Sequence, residues 1–223
     1  MTAKRFRQPR SEAGRVPLSL VNTTPPADRI VWIDCEMTGL DKTADALIEV
    51  AAVVTDAELN VLGEGVDVLI KPPPGALDRM SDFVRQMHTE SGLIDDLAGG
   101  VTLTEAEEIV LRYVRKWVPV AGKAPLGGNT IGTDKAFLGR DMPTLIGHLH
   151  YRMIDVSTLK ELARRWYPRV YYAAPEKSGG HRALADILES IAELRYYREA
   201  LFVPQPGPDS ATARALAARI AAE

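Results

Sequence analysis

The chain has 223 residues, 46% of them apolar and 26% charged, which is the composition of a soluble globular protein long enough for one domain with a buried core. No run approaches the roughly 18–20 apolar residues of a membrane-spanning helix, and the N-terminus lacks the apolar stretch of about 7–15 residues expected of a secretory signal. Cys35 is the single cysteine, so an intrachain disulfide and a cysteine-rich zinc site are excluded, and a reducing, cytoplasmic compartment fits. Of the net charge of −3, residues 1–29 contribute +4 and the remainder −7. An acidic body argues against tight binding of long nucleic acid, whose affinity comes mainly from releasing phosphate counterions. A short nucleic acid, or one held through cations, stays open.

Residues 1–28 are basic and interrupted by Pro9, Pro17, Pro25 and Pro26, and read as a disordered tail, with a basic targeting peptide as the alternative. Order is expected from Arg29. Ile30–Ile33, Leu47–Thr55 and Val61–Ile70 read as three strands of an antiparallel meander, the last stopped by Pro72–Pro74. Thr104 and Glu107 suggest a capping box before a helix whose stripe is Ala106, Ile109, Val110, Tyr113, Val114 and Trp117. Pro125–Gly128 reads as a short strand, Asp134–Leu138 as the start of a helix, and Met153–Val156 as a fifth strand. Ser157 is placed as the cap of a helix with a stripe of Leu159, Leu162, Ala163 and Trp166. A long helix is expected from about Arg182 to Ala200 and an Ala-rich one over Ala211–Ala222. The fold class is therefore α/β, with a central mixed five-stranded sheet, three antiparallel strands and then parallel additions, flanked by helices.

Three segments carry chemistry. In Asp34-Cys35-Glu36, alternation places both carboxylates on one strand face, where a divalent cation would relieve their repulsion. Oxygen ligands favour Mg²⁺ or Mn²⁺; a solvated acid pair at a strand end is the plainer alternative. Cys35 faces the other way, as a small buried hydrophobe. In Gly128–Asp134, the glycines allow close backbone approach to a ligand, Thr133 can cap the following helix, and Asp134 lies in its first turn, a common place for an acid. In Gly179–Asp186, Asp186 borders a stripe of Leu184, Ile187, Leu188 and Ile191. His181 follows two glycines on a mobile segment, as a candidate general base or an ordinary surface residue.

The ordered set Asp34, Glu36, Asp134, His181 and Asp186 resembles the DEDDh family of 3′-to-5′ exonucleases, which has the ribonuclease H-like fold. The sister subgroup carries Tyr four residues before the last Asp, a position that is Arg182 here. Asp34–Leu40, Gly128–Asp134, His150–Arg152 and Asp155–Trp166 are similar to segments of the oligoribonucleases. The resemblance covers Arg29 to Phe202, which suggests an exonuclease domain over residues 29–203 and a C-terminal tail over 204–223, helical in part. It implies hydrolysis of very short RNA, dinucleotides included, to 5′-mononucleotides, with two divalent cations, Mg²⁺ or Mn²⁺. Asp34, Glu36 and Asp186 would hold one cation, Asp34 would bridge to the second, Asp134 would support both, and His181 would be the base. It also implies Leu40 as a wedge between bases, Phe83 as a stacking platform where many relatives have Trp, and His88 near the 3′-terminal phosphate and sugar. Thr130, Ser157, Lys160 and Arg152 would cap the 5′ phosphate, and Tyr151 and Arg152 would come from the partner of a homodimer. Phe83 taken alone can equally be a core residue. Three alternatives remain at this point: a DEDDh exonuclease acting on longer single strands, a haloacid dehalogenase-type phosphatase using Asp34 as nucleophile, and an inactive nucleotide-binding module.

Overall fold

The computed structural model describes residues 28–176 and 180–222. The expected tail over 1–28 thus falls outside the described residues apart from Asp28, as does Gly179 of the second glycine pair. The strands are β1 (Ile30–Met37), β2 (Leu47–Thr55), β3 (Val61–Leu69), β4 (Pro125–Gly128) and β5 (His150–Asp155). The helices are α1 (Asp82–Glu90), α2 (Leu93–Asp96), α3 (Leu103–Trp117), α4 (Gly132–Asp141), α5 (Pro143–His148), α6 (Val156–Trp166), α7 (Pro168–Tyr172), α8 (Ala183–Leu201) and α9 (Ser210–Ala221).

The strands form one sheet in the order β3-β2-β1-β4-β5. β1 and β3 run antiparallel to β2, while β4 and β5 add parallel to β1. Every residue of β2 is buried, as a strand covered on both faces by helices must be. One face packs Val31, Ile33 and Cys35 of β1 against α3, α4 and α5. The other packs Trp32, Ala51 and Val53 against α8 and α6. β5 closes one edge with Tyr151, Arg152 and Met153 exposed. α9 is solvent-exposed along its whole length.

The structure places several helix starts differently from the sequence reading. The capping box of α3 is Thr102 with Glu105, because the helix begins one residue before Thr104. Glu107 instead accepts from the amides of Thr144 and Leu145, at 2.6 and 2.9 Å, and so closes the N-terminus of α5. α4 begins at Gly132, which leaves Thr133 inside it rather than at its cap. Asp155 caps α6 by accepting from the Ser157 amide at 3.0 Å, so Ser157 belongs to the first turn. Trp166 and Leu188 leave their expected stripes and are 66% and 47% exposed. The register shift between Ala52 and Val54 frees the Val54 amide, which donates to the Tyr113 hydroxyl at 3.2 Å. Gly128 is needed for packing, since a Cβ there would lie 2.7 Å from Ile131 Cδ1.

Candidate active site

The site is built where β1, α4 and α8 meet. Asp34 and Glu36 project from β1 toward α8, whose first turn carries Asp186. Asp134 enters from the first turn of α4, and its Oδ1 accepts from the Cys35 amide at 3.1 Å. The four sequence-predicted acids therefore converge from three separate elements. Ligand atoms of Glu36, His181 and Asp186 lie within 4.8 Å of one another. His181 adopts φ +48°, a left-handed conformation that a residue with a Cβ holds only when its surroundings impose it.

The electrostatics follow from this crowding. Burial, then the neighbouring Asp134, Glu36, Asp186 and Glu49, pushes Asp34 up to about 9. Burial and the charges of Asp186, Glu49 and Asp134 raise Glu36 to about 8, against a lowering influence of Arg182. Burial lifts Asp134 to about 7, restrained by amide hydrogen bonds that include the one from Cys35. Burial also pushes the Cys35 thiol up, which suits a packing residue rather than a nucleophile. An oxygen-rich cluster that would rather be protonated than bear adjacent charges fits a hard divalent cation.

Leu40 sits in the loop after β1 and is 73% exposed. Asp45 fixes that loop by accepting from Thr38 Oγ1 at 3.0 Å and from the Asp41 amide at 2.9 Å. Arg140, at the far end of α4, donates to the Lys42 and Asp45 carbonyls. Phe83 on α1 is 76% exposed, which removes its core alternative. His88, also on α1, lies deeper. It is fully buried, its Nε2 donates to the Met37 carbonyl at 2.9 Å, and its Nδ1 is 3.9 Å from Glu36 Oε2. From α1 the ring thus lies beside Glu36, at the edge of the acid cluster.

Thr130 and Ser157 line a cleft of about 480 Å³ with Thr158, Leu162 and Arg165. The Thr130 amide donates to Asp155 Oδ1 and Ser157 Oγ at 3.0 and 2.9 Å, and the two hydroxyls are 3.1 Å apart. Thr130 also has a positive φ, +51°, held by these bonds. Lys160 pairs with Glu193 at 3.6 Å. Tyr151 and Arg152 are not drawn into this cluster. They pair with each other on β5, Arg152 Nε donating to the Tyr151 hydroxyl at 3.1 Å. Sequence reasoning missed Asn129, which joins Ser157, Ser190 and Glu193, and Glu49, whose signal was a single carboxylate in the apolar run Leu47–Thr55.

The model of the exonuclease family matches residues 31–194. An oligoribonuclease of Streptomyces griseus is 68% identical over 195 residues, which cover 87% of this chain and 97% of that protein. One from Leifsonia xyli is 61% identical over 194 residues, covering 87% of this chain and 94% of its own length. The chain belongs to the oligoribonuclease family. Its likeness to solved structures is more distant and speaks to fold alone. E. coli exonuclease I in complex with a dA16 oligonucleotide has a TM-score of 0.56 at 17% identity, and the match covers 78% of this chain and 41% of that one. Membership in the oligoribonuclease family sets the phosphatase and inactive-module alternatives aside. The phosphatase reading also gives no task to Asp134, His181 and Asp186, all of which gather near Asp34.

Proposed function

We propose that this chain is a metal-dependent 3′-to-5′ exoribonuclease that degrades very short RNA, dinucleotides included, to 5′-mononucleotides. The observation that carries the mechanism is the meeting of Glu36, His181 and Asp186 within 4.8 Å, beside Asp34 and Asp134. Two divalent cations, Mg²⁺ or Mn²⁺, held by Asp34, Glu36, Asp134 and Asp186, would supply charge neutralisation, polarisation of the phosphodiester and acidification of water. His181 takes a proton from the attacking water on an imidazole nitrogen. The water oxygen then forms the new bond to phosphorus, and the 3′ oxygen of the preceding nucleotide leaves.

Substrate length is set at both ends of the site. Leu40 and Phe83 present exposed apolar surface for the bases. The Thr130 and Ser157 hydroxyls, with Lys160, close around the 5′ phosphate of a short strand. Arg152 and the exposed Tyr151 complete the neighbouring site in a homodimer, a role that suits their exposure on an edge strand. The domain would span residues 29–203 between the two terminal segments.

The mechanism is tested by incubating 5′-phosphorylated dinucleotide with wild type and with Asp186→Ala, each with Mn²⁺ and with chelator. Release of 5′-mononucleotide by wild type with Mn²⁺ alone is the expected result. Turnover by the variant, or turnover in chelator, would contradict it.

A further inference from the structure

Glu49 is the one charged residue of β2 and is fully buried. It lies opposite Glu36 in the β1–β2 register, so it adds a fifth acid to a crowded site. A buried anion there is costly unless it is paired and hydrogen-bonded. Its partners are specific. Arg182 Nε donates to Oε1 at 3.0 Å, and the Ala183 amide donates to Oε2 at 3.1 Å. Arg182 Nη1 continues to Asp96 Oδ2 on α2, also at 3.0 Å. Arg182 is the N-cap of α8 but makes no side-chain cap bond, so Glu49 supplies from a neighbouring strand the acceptor that the helix end lacks.

The two residues that Glu49 grips are the two that follow His181. The left-handed φ of His181 needs such an external hold. A buried ion pair is weak evidence for stability, because an apolar pair of the same shape often serves as well. What an apolar pair lacks is direction, and here three hydrogen bonds to two anchors, Glu49 and Asp96, fix Arg182 and the Ala183 amide beside the candidate base. We propose that Glu49, acting through Arg182, is a positioning residue that holds His181 in the orientation from which it takes the proton of the attacking water. The inference deepens the exoribonuclease reading and rests on it.

The test is a double-mutant cycle on the full chain, with 5′-phosphorylated dinucleotide and Mn²⁺. Glu49→Gln keeps the shape but turns an amide donor toward Arg182. It should lower kcat about tenfold or more and leave KM within about threefold. In a His181→Ala background the same substitution should change the residual rate by less than about twofold, because its effect passes through His181. Arg182→Lys, altered at a part-exposed side chain, should repeat this pattern more mildly, and it carries the test if Glu49→Gln does not fold. An equal loss in both backgrounds, or an unchanged kcat, overturns the inference and leaves the enzymatic reading standing. A wild-type rate in His181→Ala removes the base itself, and the inference falls with it.

Discussion

Asp34, Glu36 and Asp134 each prefer a proton in the folded protein far more than a free carboxylate does, because they are buried among like charges. The sign of the consequence follows from linkage. A carboxyl whose folded pKa is raised stabilises the fold below its unfolded pKa of about 4, and that contribution is lost as pH climbs through the folded value. Metal-free protein should therefore lose thermal stability from about pH 4 upward, most steeply below about pH 7, and level off as the groups near 7, 8 and 9 titrate in the folded state. Mn²⁺ should raise the melting temperature, and by more at pH 8.5 than at pH 5.5; scanning fluorimetry across pH checks both. His181→Ala should keep Mn²⁺ binding by calorimetry while losing most turnover, and loss of binding would make His181 a ligand rather than a base. Gly39→Ala places a Cβ 2.8 Å from Asp45 Cγ, in the brace that holds the Leu40 loop. The substitution should destabilise by about 1–3 kcal/mol and raise KM for dinucleotide, measurable by denaturation and initial rates. The acids that converge at the site were legible because each stands beside a recognisable local context. Glu49 was not, since its partners Arg182 and Ala183 are more than a hundred residues away in sequence. The burial of His88 was not legible for a related reason: it depends on how α1 packs across Met37.

At the scale of elements, hydrophobic period carried most of the reading. β1, β2 and β3 lie where their apolar runs lie, and α3 follows its stripe from Ala106 to Trp117. Helix ends were less legible, because several candidate caps stand close together and only backbone geometry chooses among them. Thr102 and Glu105 form the box because α3 starts at Leu103, which leaves Glu107 free to accept from the amides at the start of α5. α1 has a single buried residue, His88, and so offers no apolar stripe to find. Thr102→Ala should cost about 1 kcal/mol through the lost cap and lower the melting temperature by about 2–4 °C. Since α3 carries none of the site residues, kcat should be unchanged; a tenfold fall would mean that the helix bears on the site by a route not described above.

The whole molecule makes sense of the sheet order. A meander with two parallel strands added beside β1 brings the end of β1, the start of α4 and the start of α8 to one place. Chain order alone gave the strand types, whereas the convergence of the acids needed the topology. The exposed β5 edge, with Tyr151 and Met153, is the surface expected to meet a second copy. If Arg152 acts in the partner's site, mixing Arg152→Ala with Asp186→Ala protein should restore dinucleotide turnover at roughly one site in four after exchange, though each variant alone is poor. No restoration in a proven mixed dimer would place Arg152 in its own subunit's site.

Specificity for very short RNA is best measured by comparing kcat/KM for a 5′-phosphorylated dinucleotide and for an RNA of roughly twenty nucleotides under the same Mn²⁺ conditions. The dinucleotide should be consumed far faster, because the 5′ phosphate of a short strand reaches Thr130, Ser157 and Lys160 while its 3′ end lies at the acids. Equal trimming of the long strand would contradict it, leaving the fold and the acidic site intact but assigning the chain to the exonucleases of longer RNA.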